Sequence, residues 1–210
     1  LAGVLLKMGT FGFFRYALPL FPEAALAYRP ALAALAVVGI VYGAFMSMVQ
    51  KDMKRLVAYS SVSHMGFVML GLAALSAEGL TGSVYQMLNH GVSTGSLFLL
   101  VGMLYERRHT RLISEYGGIA KQVPWLSAAF VVVTLSSVGL PGTNGFVGEF
   151  LILSGTWLAR LQGASWYSAV GATGVILGAV YMLLLVEKVF FGPMRNEANR
   201  SLRDLSLREA

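Results

Sequence analysis

The stretch Val138-Gly139-Leu140-Pro141-Gly142-Thr143-Asn144-Gly145-Phe146-Val147-Gly148-Glu149-Phe150 places a carboxylate inside an apolar run, eight residues after a proline. Its flanks decide how it reads. Residues 124–158 form one apolar segment of 35 residues, with Glu149 as its only acid. As a straight helix it would reach roughly 50 Å, against a bilayer hydrocarbon core of about 30 Å. A break is therefore required on length alone. Pro141 removes an amide donor and clashes with the preceding turn, and Gly139, Gly142 and Gly145 loosen the backbone beside it. Thr143 or Asn144 is expected to cap the second half-helix. Irregular backbone at membrane depth is tolerated where protein or a water-filled cavity surrounds it. Transporters use such breaks to build sites near the midplane. A proline kink without function is the plainer alternative.

The rest of the chain supports a membrane setting. Of 210 residues, 56% are hydrophobic and 12% charged, about half the charged share of a soluble domain. Five further runs are long enough to span: residues 1–20, 31–50, 56–75, 82–105 and 164–186. The fold class is all-α, a polytopic bundle of about six spans with one broken helix. Residues 1–191 form the transmembrane part and 192–210 a polar tail. Leu202, Leu205 and Leu207 suggest a short amphipathic helix in that tail. Leu1 opens in the middle of an apolar run, so a preceding segment is expected. No cleavable signal peptide is recognisable. With no cysteine, disulfides and thiolate metal sites are excluded.

The net charge of +6 does not read as a nucleic-acid surface, because the basic residues fall in short connectors. The connectors at 21–30, 76–81 and 159–163 carry two, Arg29 and Arg160. Those at 51–55, 106–123 and the tail carry eleven: Lys51, Lys54, Arg55, Arg107, Arg108, Arg111, Lys121, Arg195, Arg200, Arg203 and Arg208. This asymmetry places the second set on the cytoplasmic side. Arg15, Glu187 and Lys188 read as interfacial anchors, and His109 as a solvated connector residue.

Four ionisable residues lie inside apolar runs: Lys7, His64, His90 and Glu149. Each costs about 2.5–3.5 kcal/mol or more if it faces lipid charged, so an inward arrangement near the others or near water is cheaper. Lysine at depth can take and release a proton. Imidazole accepts at one nitrogen and releases at the other. Gly91 and Gly95 are spaced for close helix packing beside His90. Snorkelling for Lys7 and simple packing for the histidines are the bland alternatives. No zinc-ligand spacing or phosphate-binding glycine loop accompanies the four. A relay of protons, or of sodium, is what this set can perform.

At these residues the chain resembles the antiporter-like membrane subunits of respiratory complex I. The resemblance is carried by Leu1-Ala2-Gly3-Val4-Leu5-Leu6-Lys7-Met8-Gly9, by Asp52 to Gly66, by Asn89-His90-Gly91, by Tyr105 to Arg111, by Leu140-Pro141-Gly142 with Phe146-Val147-Gly148-Glu149-Phe150, and by Asp204 to Glu209. It implies a fourteen-helix fold of which this stretch matches the eighth to the thirteenth, with the broken twelfth. Lys7 matches the central lysine of the eighth helix, His64 and His90 the relay histidines of the tenth and eleventh, and Glu149 the terminal acid of the twelfth. The family's Glu/Lys pair on the fifth and seventh helices has no counterpart here. Glutamate rather than lysine at 149 points to the M-type branch, with L- and N-type subunits as implied partners beside the lipid bilayer. The implied function is proton translocation coupled to quinone reduction elsewhere, in a bacterial inner membrane, with no cofactor, metal or redox centre in this chain. A subunit of a multisubunit sodium/proton antiporter or membrane-bound hydrogenase is the alternative, and a structural spacer a third.

Overall fold

The computed structural model describes residues 3–206 and Glu209. Leu1, Ala2, Leu207 and Arg208, on which part of the sequence analysis rests, lie outside the described residues. Among the described residues all six apolar segments are largely helical. Helix α1 (Leu5–Gly12) runs through a π turn (Phe13–Ala17) into α2 (Leu18–Leu20). Pro19 explains the π turn, because its ring clashes with the carbonyl four residues back and the wider turn relieves that clash. Then come α3 (Pro22–Met48), α4 (Met53–Ala74), α5 (Ala77–Arg108), the pair α6 (Pro124–Val138) and α7 (Asn144–Trp157), and α8 (Ala164–Phe190). Four of these, α3, α4, α5 and α8, are long and apolar enough to cross a bilayer by themselves. Their outward faces, such as Leu35, Val38, Tyr42 and Phe45 of α3, are exposed and apolar, as a lipid-facing surface requires.

Two expected connectors are largely helical instead. Residues 22–30 belong to α3, with Pro22 at its start and Pro30 inside it. The Ala-rich segment following Pro22 favours helix strongly enough to absorb Pro30. Residues 77–81 open α5, capped by Ser76, whose hydroxyl accepts from the Gly79 amide at 3.0 Å. Arg29 reaches the C-terminus of α4 and donates to the carbonyls of Ala73 (3.3 Å) and Ala74 (2.8 Å). It thereby satisfies two orphan acceptors at the negative end of that helix.

Small residues set the distances between helices. A β-carbon on Gly43 would meet the Ser63 amide at 2.6 Å, and one on Gly66 the Ala36 carbonyl at 2.8 Å. The α3 and α4 backbones therefore touch. Gly82 plays the same part between α5 and α7, where a β-carbon would sit 2.8 Å from the Ile152 amide. The expected glycine seam beside His90 is present but loose: a β-carbon on Gly91 would meet the Gly3 carbonyl at 3.3 Å, one on Gly3 would meet the Gly95 α-carbon at 4.0 Å, and one on Gly95 would meet nothing within 4 Å.

The three basic connectors meet at one end of the bundle. The Met53 amide donates to the Arg111 carbonyl at 3.0 Å and the Ile113 amide to the Lys51 carbonyl at 2.9 Å. The Gly118 amide bonds the Phe191 carbonyl at 3.1 Å. The connector after α5 is not merely a solvated charged loop. It buries Ile113, Tyr116, Ile119 and Val123 in the main core. Burial of Tyr116 pushes its phenol up to about 12, with Arg108 opposing. Its hydroxyl is satisfied by the carbonyls of Thr110 (2.9 Å) and Leu104 (3.3 Å).

Among the described residues the tail forms a short 3-10 turn (Glu197–Ser201) followed by non-helical chain through 206, not the expected amphipathic helix. Polar contacts fix it in that form. The buried Asn199 accepts from Arg108 at 2.7 Å and donates to the Glu115 carbonyl at 3.0 Å. Leu202 and Leu205 pack on the core. Asp204 caps α6 from a distance, its carboxylate accepting from the amides of Trp125 (2.8 Å) and Leu126 (3.0 Å). Pro124 has no amide to satisfy and Val123 has no capping group, so the local sequence cannot do this. Partial burial opposes ionisation of Asp204. The amides of Trp125, Leu126 and Leu205, with Arg107, outweigh it and hold the carboxyl below its usual value. Its stabilisation is therefore complete above the unfolded value near 4 and is lost as pH falls through the lowered folded one. Asp204→Ala is expected to cost about 1 kcal/mol, read as faster hydrogen exchange at Trp125 and Leu126 near neutral pH. The parent protein should approach the variant only in acid. Identical exchange in both at neutral pH would remove the cap.

Candidate functional site

Four helices each bring one ionisable side chain to the interior. Lys7 of α1, His90 of α5, His64 of α4 and Glu149 of α7 are 9%, 3%, 6% and 4% exposed. They form one line. Lys7 Nζ lies 2.5 Å from His90 Nδ1. The His90 and His64 rings stand 5.4 Å apart, centroid to centroid, tilted by 55°. His64 Nδ1 lies 3.2 Å from Glu149 Oε1. The order is Lys7, His90, His64, Glu149, so α5 stands between α1 and α4 along the line rather than after them in chain order.

Each imidazole thus spends its Nδ1 on one neighbour. Among the described residues, neither His90 Nε2 nor His64 Nε2 has a hydrogen-bond partner. Both residues line one small cavity of about 10 Å³, with Gln86, Asn89, Ser93, Thr94, Ser136, Ser137 and Gly145. That volume matches the roughly 10–15 Å³ that one water needs, and the lining supplies several polar partners for it.

Glu149 has further neighbours that the sequence alone does not single out. Gln86 Nε2 donates to Glu149 Oε1 at 3.3 Å, leaving its own carbonyl oxygen without a partner among the described residues. Tyr181 of α8 is fully buried near Glu149 and the Ser60 hydroxyl. A signal for Gln86 exists in the sequence. Ser83, Gln86, Asn89/His90 and Ser93/Thr94 recur at helical spacing in an otherwise apolar segment, a polar stripe facing inward.

The break lies where the length argument requires it. Helix α6 ends at Gly139, whose φ of +75° gives the left-handed turn, and α7 begins at Asn144. Pro141 and Gly142 sit in the exposed turn between them, while Gly139 at its start lies against the Glu149 carboxylate, where a β-carbon would meet Oε2 at 2.8 Å. Neither Thr143 nor Asn144 caps α7. The Thr143 hydroxyl donates back to the Leu140 carbonyl at 2.7 Å, and Asn144 turns towards α5. There its Nδ2 donates to Asn89 Oδ1 at 3.1 Å, and its own carbonyl accepts from Asn89 Nδ2 at 2.7 Å. Gly145 lies directly against the Ser136 carbonyl, which leaves no room for a β-carbon.

A larger cleft of about 810 Å³ opens at the basic end, lined by Gly3, Asp52, Lys54, Arg55, Tyr105 and Arg111 among others. Gly3 is four residues, one helical turn, before Lys7. Among the described residues no group of three or more acids and histidines is arranged to hold a metal ion.

Residues 1–182 match the family model described as NADH:quinone oxidoreductase/Mrp antiporter, transmembrane. A relative from Rickettsia prowazekii, NADH-quinone oxidoreductase subunit M, is 45% identical over 205 residues. That alignment covers 98% of this chain and 41% of the relative, so the chain spans about two fifths of the relative's length. The structure of respiratory complex I from Thermus thermophilus with bound NADH holds a chain that superposes with a TM-score of 0.91 at 40% identity, over 98% of this chain and 42% of that one. A chain in the Mrp complex from Dietzia superposes at 0.85 and 23% identity, over 92% of this chain and 35% of that one. The Dietzia likeness concerns the fold alone.

Proposed function

The chain belongs to the NADH:quinone oxidoreductase/Mrp antiporter transmembrane family, and from that premise we propose that it carries protons across a membrane as part of an M-type subunit of complex I. The carrying observation is the order Lys7–His90–His64–Glu149, in which each imidazole holds a neighbour at Nδ1, has no partner for its buried Nε2 among the described residues, and lines a shared water-sized cavity. A proton leaving the Lys7 amine enters His90 at Nδ1, and His90 releases another from Nε2. Through a water, His64 takes it at Nε2 and passes one from Nδ1 to Glu149. The two rings must then turn or exchange tautomers before the next passage. Imidazole is suited to this because its two nitrogens interconvert roles near neutral pH.

Charge couples successive groups on the line. Unit charges about 8 Å apart at an effective dielectric near 20 interact by about 2 kcal/mol, which is more than a tenfold bias on proton occupancy. A charge change imposed at one end by the rest of the complex is therefore passed from group to group towards the other. The electron-transfer chemistry belongs to other subunits, and L- and N-type subunits are the proposed neighbours. A bacterial inner membrane, with the basic end at the cytoplasmic face, is the proposed location. The name of the Rickettsia prowazekii relative favours this reading over a separate sodium/proton antiporter or hydrogenase. Four inward-facing ionisable groups also disfavour a mere spacer.

The test replaces His90 by leucine in the complete protein within its complex, reconstituted in vesicles. Protons moved per NADH oxidised are expected to fall, because Lys7 then has no acceptor on the line. Unchanged stoichiometry in an assembled His90→Leu complex would exclude the proposed route. Sodium uptake in place of acidification would favour the antiporter reading.

A further inference from the structure

Beside the line lies a second hydrogen-bonded chain that the relay does not use. Ser93 and Ser136 are joined through their hydroxyls at 3.0 Å. The Ser136 hydroxyl donates to Asn144 Oδ1 at 2.5 Å, and Asn144 Nδ2 donates to Asn89 Oδ1 at 3.1 Å. Since Ser136 spends its proton on Asn144, Ser93 is the donor to Ser136. Asn89 closes the sequence by donating to the Asn144 carbonyl at 2.7 Å.

The placement of these four residues is informative. Asn89 and Ser93 belong to α5, adjacent to and three residues from His90. Ser136 belongs to the last turn of α6 and Asn144 to the start of α7. The chain therefore ties both arms of the broken helix to α5 at once. Three of its members, Asn89, Ser93 and Ser136, also line the cavity shared by His64 and His90. Asn89 and Ser93 are buried, while Asn144 is only partly so and stands next to the exposed turn at Pro141 and Gly142. The clasp thus lies between the cavity and the exposed break. All its bonds join neutral groups, so each is modest in strength. Any movement of one arm against the other must open it.

We propose that the Ser93–Ser136–Asn144–Asn89 clasp is the closure of a one-water site between the two histidines, and that opening it connects that site to the helix break. This rests on the proposed proton line and adds a gate to it. The unpartnered Nε2 atoms of His64 and His90 and the unpartnered Gln86 Oε1, all buried on the same cavity, are the polar atoms such a water would serve. The four clasp residues are positioning residues. They hold no relayed proton while closed.

The experiment uses the complete protein in its complex, reconstituted in vesicles, and reads passive proton leak under an imposed pH gradient without NADH. Asn144→Ala removes two side-chain bonds of the clasp and is expected to leak at least about fivefold faster than the parent, the factor that even one buried neutral hydrogen bond carries in an equilibrium constant. Asn89→Ala should do the same, and the double variant should leak no faster than either single, because both open one closure. Adding His90→Leu to Asn144→Ala should return the leak to the parent rate, which general loosening of the fold would not do. Asn144→Ser keeps a hydroxyl near Ser136 and is expected to leak to an intermediate degree. It carries the test if the alanine variant fails to assemble, assembly being checked by NADH oxidation. A parental leak rate in the assembled variants, or a leak that survives His90→Leu, overturns the clasp. The two readings fail separately. Lost pumping in His90→Leu with tight clasp variants sinks the clasp alone. Normal pumping in His90→Leu with a leak that His90→Leu suppresses sinks the coupled line and leaves the gate standing.

Discussion

Glu149→Gln should all but abolish the protons moved through this subunit while leaving its fold in place. Glutamine has nearly the same shape, and it can still hydrogen-bond His64 and Gln86, which lie 3.2 and 3.3 Å from Oε1. What it cannot do is accept a proton from His64 and give one up again. Removal of a positioned proton-transfer group costs about 10²–10⁴ in the step it serves. Glu149→Asp keeps the carboxyl but draws it back by about 1.5 Å, one carbon–carbon bond. That exceeds direct hydrogen-bond reach to His64, so a water must bridge the gap, and partial activity is expected. The measurement is the ratio of protons moved to NADH oxidised in vesicles. A normal ratio in the glutamine variant would show that the terminal acid plays no part in transfer.

Lys7→Met carries the second large effect. Methionine nearly matches the length and flexibility of the lysine stem but offers no proton, and His90 Nδ1 loses the amine that lies 2.5 Å away. The loss should be similar in size to that of Glu149→Gln, since both remove an end of one line. The sharper expectation concerns the pair. If protons pass through the residues in series, Lys7→Met combined with Glu149→Gln loses no more than the worse single variant. Groups acting as one unit are non-additive in this sense. Losses that multiply would mean two independent routes, and the single line would then be wrong.

Much of the architecture is legible in the residues themselves. Long apolar runs without charge admit few readings, and the 35-residue segment cannot be straight. Its break falls between Gly139 and Asn144. Features set by partners far along the chain are the ones that local sequence does not reveal. The segments at 22–30 and 77–81 are the exception: they look polar or proline-interrupted, yet the first is helix through its own alanines and the second through the adjacent Ser76 cap. The described tail leucines, Leu202 and Leu205, do not lie in a helix, because Asn199 and Asp204 are spent on the connector and on α6.

The site divides the same way. Ionisable side chains at depth stand out by their cost, so composition alone picks out Lys7, His64, His90 and Glu149. It does not give their order along the line, which depends on how α1, α4, α5 and α7 pack. Neutral amides and hydroxyls carry no such cost signal. Asn144 reads locally as a helix cap, and only the approach of Asn89 from α5 turns it elsewhere. Gln86 is visible only as one member of a polar stripe.

The distant cap on α6 has a consequence for biosynthesis. The carboxylate that satisfies the Leu126 amide is 78 residues further along the chain. At about 5–20 residues per second, the first arm of the broken helix leaves the ribosome roughly 4–16 seconds before its cap exists. Until Asp204 is made, that arm enters the translocation machinery with bare amides at its polar end. Its final seating is thus timed by the arrival of the tail rather than by its own insertion.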